Sequence, residues 1–517
     1  LLIGAAFAAH ALHALWRVVE DLRDRTVALR LAGIALVVYL VLLPYHRAVM
    51  PTASDEPHYL LITQSLLYDR DLDLRNDYEG DRYSAFYPAR LPDMHGVEVG
   101  RAVYPIRDLA LPLLSVLPFA LGGRLGVLAL MCLVGAALAF QLFVLLRDLR
   151  FAPRVAFLAV ATTSLTHPIL TYTTQVYPDL IAALVLVTAA RALRHGERST
   201  PRQLGLASLL TALLPWLTTR AWLVAVGLGL VIAYLVMRPL FRRPRRDQRA
   251  ASRVLAAAAP RVLAAGVPRV LAAAGPFVAL VLVLAYVNWR MFGLFLPSAG
   301  YFIIREQQQV LAYTPHVGAL GLLFDRVFGL IPRAPVYLLA FLGAFSLIRR
   351  ARVHGPELSA LFAGWVVSFV YIANIAYWWA DGSPPSRYLL ATIPFLVLGV
   401  AGGWEVIERA GRYRPVLSAG AWVLVAASAL VTYVYAALPN LRYDLALDIR
   451  ETGSPGALFS FIGQFVSLNP ALVFPSLVGP GTFSVALAMA WLAFAVALVL
   501  AGRWLLRPEA ERVSAGR

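Results

Sequence analysis

The sequence predicts an all-α polytopic membrane protein, a bundle of about twelve transmembrane helices, and three observations carry that expectation. The chain of 517 residues is 60% hydrophobic and only 15% charged, which is more apolar surface than one water-soluble core hides. Its mean hydropathy is +0.70. Apolar stretches of roughly 17 to 25 residues recur through most of its length, each enough to cross a hydrocarbon core of about 30 Å.

The elements follow in order from the charges that flank them. Leu1 to Trp16 is apolar and reads as an additional helix or a signal-anchor remnant, which sets residues 1–27 apart from a transmembrane domain over 28–517. The first secure span is Ala28 to Leu43. Arginines precede it, while Met50 to Tyr104 after it carries ten acidic residues against five arginines, so the first flank reads as cytoplasmic and the second as external. Pro105 to Leu121 holds Arg107, Asp108 and prolines. Counting it as a full span would put the basic Arg147 to Arg154 loop outside. Residues 50–121 are therefore expected to form a first external loop with membrane-parallel or re-entrant helices.

Arg124 to Leu146 is then the second span and Val155 to Tyr172 the third. Inner loops follow at Arg191 to Arg202, Arg238 to Arg253, Arg349 to His354, Arg409 to Arg414 and after Arg503. Outer segments are Thr173 to Asp179, Thr218 to Arg220, Arg290 to Pro332, Tyr377 to Arg387 and Pro439 to Thr482. Arg-Val-Leu-Ala-Ala starts at Arg253, Arg261 and Arg269, a repeat too short to build a solenoid layer, and residues 238–269 read as a basic low-complexity cytoplasmic loop.

Composition also excludes. The net charge of +17 sits in loops beside spans, the pattern of membrane topology, so no nucleic-acid partner is expected. All 46 basic residues are arginine, so any phosphate must be held by guanidinium forks. The single Cys132 lies in an apolar span, which excludes disulfides, zinc clusters and thiol catalysis within the chain.

The chemistry-bearing residues collect in the outer loops. Ser54-Asp55-Glu56-Pro57-His58-Tyr59 follows the first span, and Pro57 suits the first turn of a helix with both carboxylates at its positive end. An ionised carboxylate there accepts a proton from a hydroxyl or shares a metal ion, and it serves equally well as a helix cap. Gln175-Val176-Tyr177-Pro178-Asp179 repeats the arrangement before the fourth span. Ionisable groups at the edge of a span are costly, so two such starts facing one compartment favour a site. Arg101, Arg107, Arg220, Arg305, Arg333 and Arg387 are the positive partners on the same face, suited to a phosphate or pyrophosphate. Tyr377-Trp378-Trp379-Ala380-Asp381-Gly382-Ser383-Pro384-Pro385-Ser386-Arg387-Tyr388 adds aromatic faces for a sugar ring, or for an interfacial belt, and its proline-rich turn fixes Arg387 at a helix start.

Together, the acidic pair after the first span, the helices of the first external loop and the second acidic loop resemble the C-type (GT-C) glycosyltransferase superfamily. These are membrane enzymes that use polyprenyl-phosphate sugars, protein O-mannosyltransferases and lipid A aminoarabinose transferases among them. The strings Asp-Glu-Pro-His-Tyr-Leu-Leu from Asp55, Gln-Val-Tyr-Pro-Asp-Leu from Gln175 and Phe-Asp-Arg-Val-Phe-Gly-Leu-Ile-Pro from Phe324 are similar to those of a bacterial branch. The resemblance implies a GT-C-like bundle, with Asp55 in the place of the catalytic base, Glu56 beside it, Asp179 as the second-loop acid and Arg220 as a contact to the donor phosphate.

The reading that results is an inverting glycosyltransferase of the cell membrane, acting at the external face on a polyprenyl-phosphate-linked sugar and a glycan, lipid or protein acceptor, among membrane lipids. Asp55 and Glu56 are the expected catalytic pair. His58, Tyr59, Arg101, Arg107, Tyr177, Asp179, Arg220, Arg333, Trp379, Arg387 and Tyr388 are the expected substrate-binding residues. A divalent cation, Mg or Mn, is the one cofactor left open, with Asp55, Glu56 and Asp179 as its ligands; Asp71-Leu72-Asp73 has the letters of a metal motif but lies in a polar loop. The rival reading is a multi-pass transporter or lipid flippase, which would place ionisable or helix-breaking residues near the midplane in repeated halves. The polar residues collect instead toward one face.

Overall fold

Prolines and polar caps set the helix ends. Pro153, Pro178 and Pro201 stand in the first turns of helices Pro153–Ser164, Pro178–Ala192 and Pro201–Leu217, where a missing N–H costs nothing. Thr200 and Gln203 close a capping box at the last of these. The computed structural model describes residues 1–507 apart from 51, 92–94, 242–250, 297–298, 304–313, 352–354, 381, 466–472 and 479–483. Within them the chain is an all-α polytopic membrane protein with one β-hairpin, Gly96–Val99 paired antiparallel to Ala102–Pro105.

Among the described residues, seven helices are long and apolar enough to cross a membrane: Leu2–Val19, Asp24–Val49, Ala110–Asp148, Thr219–Arg238, Gly266–Phe292, Gly411–Ala437 and Val485–Leu505. The expected count of about twelve is not reached by that measure. Other apolar stretches of the sequence form shorter helices, such as Leu338–Ala351 and Ile393–Glu408, because turns and polar termini cut into them. The apolar N-terminal stretch is a helix that packs against Arg414–Ala437. Residues 242–250 of the basic segment lie outside the described residues, and from Ala251 the repeat runs within the 42-residue helix Ala251–Phe292 rather than as a loop.

The segment between helices Asp24–Val49 and Ala110–Asp148 is more structured than its polarity suggested. It contains helices Glu56–Tyr68 and Arg75–Glu79 as well as the hairpin, whose alternating Val97 and Val99 the sequence reading passed over. The helix Ala110–Asp148 is broken by non-helical backbone at Gly122 and Gly123. A Cβ on Gly126 would stand only 2.0 Å from the Pro118 carbonyl oxygen, an approach that a straight helix cannot make at eight residues' separation. The segment before the glycines therefore folds back on the span that follows, in keeping with a re-entrant or surface helix.

That span fixes where the site stands. From residue 124 to 148 it measures about 36 Å, enough to cross the hydrocarbon core. Arg124 at one end donates to the Met50 carbonyl (2.7 Å) and pairs with Glu56 (3.1 Å). Arg147 at the other end pairs with Asp24 at 2.9 Å, so helices Asp24–Val49 and Ala110–Asp148 run antiparallel. Asp55 and Glu56 thus lie a bilayer's thickness from the Arg147 to Arg154 region.

The closest helix packing joins Leu338–Ala351 to Ile393–Glu408. A Cβ on Gly343 would lie 2.0 Å from the Gly399 carbonyl oxygen and 2.2 Å from the Gly403 nitrogen, so only small residues permit this contact, as in membrane helix pairs generally. Gly343→Ala should lower stability in detergent by about 1–3 kcal/mol through overpacking. Gly420→Ala, on a helix with open space around it, should leave stability unchanged or raise it slightly. Thermal melting of the two variants against the wild type checks the pair, and equal melting of all three would remove the close approach.

Candidate active site

Two consecutive carboxylates leave the end of the first span in different directions. Ser54, in the left-handed region at φ 56°, turns the chain, and Asp55 precedes the helix Glu56–Tyr68 with Pro57 in its first turn. Adjacent positions at a helix start point about 100° apart. Asp55 faces a cavity of about 1470 Å³, whereas Glu56, fully buried, turns inward to Arg124.

Asp55 is held by three cationic or potentially cationic groups. Its Oδ1 accepts from Arg107 Nη2, its Oδ2 lies 2.7 Å from Arg387 Nη1, and His95 Nδ1 stands 3.9 Å away. Burial alone would raise the Asp55 carboxyl, but Arg107, Arg387 and His95 override it and hold the group well below the usual carboxylate range. For Glu56 burial wins over Arg124, and its carboxyl is raised.

Arg387 extends the network to the second acidic loop. Ser386, at φ 61°, turns the chain into the short helix Arg387–Leu390. The Arg387 guanidinium is 4% exposed and bridges the two carboxylates, with Nε 3.3 Å from Asp179 Oδ2. It lies over the Tyr177 ring at 4.3 Å. Arg220 completes the chain, 3.2 Å from Asp179 Oδ1 and 4.1 Å above the Tyr388 ring. Three arginines against two carboxylates leave a cluster of net charge +1.

The expected site residues separate accordingly. Asp55, His58, Arg107, Arg387 and Tyr388 line the cavity, and Tyr177, Asp179 and Arg220 stand directly behind them. Tyr59 is buried in the hydrophobic core. Arg101 is exposed in the two-residue turn of the hairpin. Arg333 is fully buried and donates through Nε and Nη2 to the Val327 carbonyl, so it braces a turn. Trp379 packs edge-on to Trp378 beneath Arg450. Arg305 and Asp381 lie outside the described residues.

The carboxylates expected to share a divalent cation do not converge. Arg387 occupies the space between Asp55 and Asp179, and Glu56 is committed to Arg124. Asp71 and Asp73 instead accept backbone N–H groups, those of Asp73, Arg75 and Val103, and so shape the loop. Among the described residues no group of three His, Cys, Asp or Glu side chains could hold a metal. The donor set therefore does not fit Mg or Mn as it stands.

Several participants escaped the sequence reading. His95 stacks on His58 at 3.8 Å and contacts Arg107 at 2.9 Å. The hairpin signal of Val97 to Val103 around Gly100 would have found it, because continuing the Gly96 to Pro105 pairing sets His95 opposite Ile106, next to Arg107. Asp444 and Asp448 line the cavity from the segment after the span ending at Ala437. Beneath the site, fully buried Arg442 donates to the Tyr435 carbonyl, to Thr174 Oγ1 (3.1 Å) and toward His46 Nε2 (3.2 Å), tying the ends of two spans to the turn at Thr174.

His58 is 5% exposed, with Nδ1 2.9 Å from the Tyr78 hydroxyl. Burial, His95 and Arg107 bring it down from 6.5 to about 2, against the opposing pull of Asp55. A depressed histidine contributes stability fully above its unfolded value and loses it as pH falls below about 6.5. Wild-type protein should therefore lose about 2 kcal/mol more between pH 7 and pH 5 than His58→Gln, which does not titrate. Thermal melting at the two pH values measures the difference, and parallel losses would mean that His58 is not held neutral.

No family model and no curated protein matches the chain. Solved structures do. The apo oligosaccharyltransferase of Archaeoglobus fulgidus matches at TM-score 0.44 and 15% identity, over 79% of this chain and 55% of that one. The oligosaccharyltransferase AglB of the same organism, in complex with an inhibitory peptide and a dolichol-phosphate, matches at TM-score 0.45 and 15% identity, over 86% and 60%. ArnT from Cupriavidus metallidurans bound to undecaprenyl phosphate matches at TM-score 0.43 and 17% identity, over 92% and 77%. The chain spans little more than half the length of the two archaeal structures it is similar to.

Proposed function

We propose that the protein is an inverting glycosyltransferase that moves a sugar from a polyprenyl-phosphate donor to an acceptor hydroxyl at the external face of the cell membrane. The observation that carries this reading is the ion-pair cluster in which Asp55, Arg107 and Arg387 line a large cavity at one end of the bundle and Asp179 and Arg220 back them. Guanidinium forks suit the charge that grows on a departing phosphate.

In this reading Asp55 accepts the proton of the acceptor hydroxyl as that oxygen attacks the anomeric carbon. The bond from the anomeric carbon to the phosphate oxygen breaks, the lipid phosphate leaves with the electron pair, and Arg107 and Arg387 stabilise it. The sugar then carries the opposite anomeric configuration. Tyr388, on the cavity wall, offers a ring against which a sugar can stack. The transporter reading draws less support, because these charges gather beside Arg124 at the end of a span instead of midway along it.

The test is sugar transfer or hydrolysis from a panel of polyprenyl-phosphate donors by the purified protein in detergent. Asp55→Asn keeps size and removes basicity, and its turnover should fall by about 10²–10⁴-fold. Near-normal turnover of that variant would sink the assignment. Chelation of divalent metal in a parallel sample should leave wild-type turnover unchanged, given the donor set around Arg387. Failure to consume any donor, together with movement of such lipids across vesicles, would favour transport.

A further inference from the structure

Both oxygens of Asp55 are already taken. Oδ1 is bound to Arg107 and Oδ2 to Arg387 at 2.7 Å, and the side chain is only 8% exposed. A carboxylate in that state is a poor acceptor of a hydroxyl proton, since a guanidinium pairs with each oxygen and suppresses its basicity. The proposed reaction nevertheless needs it as the base. The two guanidiniums that suppress it are also the groups on the cavity wall placed to bind a phosphate, and neither can fully serve two anions through the same N–H groups.

The geometry offers a way for one occupancy to replace the other. Arg387 has a second anchor, because its Nε is held by Asp179, which Arg220 holds in turn. Nη1 can therefore leave Asp55 while the guanidinium stays in place over Tyr177. Arg107 is joined to His95 through the same Nη2 that meets Asp55, and it too faces the cavity.

We propose that Arg107 and Arg387 form an exchangeable clamp, paired with Asp55 while the cavity holds no lipid phosphate and transferred to the phosphate when it binds, so that Asp55 becomes a base only in the donor-loaded protein. This rests on the glycosyltransferase reading and adds an order of events to it. The arginines, as they turn to the leaving group, release the proton acceptor. An acceptor hydroxyl that arrives first meets a carboxylate whose two oxygens are each already held by a guanidinium.

The inference is tested by equilibrium binding of undecaprenyl phosphate to the full chain in detergent. If the phosphate must take its arginines from Asp55, Asp55→Asn removes the competitor and binding tightens by about tenfold or more. Glu451→Gln removes the same unit of charge from the same helix as Asp448, but Glu451 is exposed, lines no part of the cavity and makes no ion pair among the described residues, so its affinity should change by less than about twofold. Asp55→Ser serves as a second variant should the amide fold poorly, and Arg387→Ala should weaken binding at least about tenfold. Equal tightening in Asp55→Asn and Glu451→Gln, or none in either, overturns the clamp while leaving the donor class intact. Absence of any binding by folded wild-type protein removes the donor class itself, and the clamp with it.

Discussion

The Arg387 guanidinium, buried between Asp55 and Asp179, is the contact on which this end of the bundle is organised. A buried arginine is tolerated only where its charge is answered and its N–H groups are satisfied. Here the answer comes from two loops distant in sequence, one after the span ending at Val49 and one opening the helix at Pro178. Removing either carboxylate leaves a charge with half its compensation. The left-handed turns at Ser54 and Ser386 are the backbone conditions for that meeting, since each redirects the chain immediately before a charged residue.

A second layer of buried charge supports the first without facing the cavity. Glu56 and Arg124 pair below Asp55, and Arg442 gathers the Tyr435 carbonyl, Thr174 and His46. These groups join the ends of spans Asp24–Val49, Ala110–Asp148 and Gly411–Ala437. Breaking such a pair by removing one partner is costly, about 3–5 kcal/mol in buried settings. The floor of the site is therefore stiff, and what freedom the site has belongs to the guanidiniums above it.

Much of this was legible in the sequence, for reasons that can be named. Asp55, Asp179, Arg107, Arg220 and Arg387 each lie at a polar interruption between apolar stretches, where an ionisable group is expensive enough to stand out. Their pairing was not legible, because Arg387 reaches Asp55 across more than three hundred residues. Tyr59 and Arg333 carried the same local signals as their neighbours and yet turned into the core and into a turn, since helix phase and loop closure decide side-chain direction. Arg101 went to a hairpin tip because the short alternation around Gly100 is weak beside the helical periodicity of the chain. Among the described residues fewer helices than the expected twelve are long enough by length alone, because helices such as Pro178–Ala192 begin and end on charges that belong to the site and to Asp148.

The adjacency of Asp55 and Glu56 has a consequence for how this chain can vary. Two neighbouring acids have opposite assignments, one on the cavity wall and one sealed against Arg124, and only the phase of a single turn keeps them apart. Losing or gaining one residue between Val49 and Pro57 would rotate that phase by about 100° and present the wrong acid to each environment. Substitution in this stretch is graded, whereas a change in its length is all or nothing.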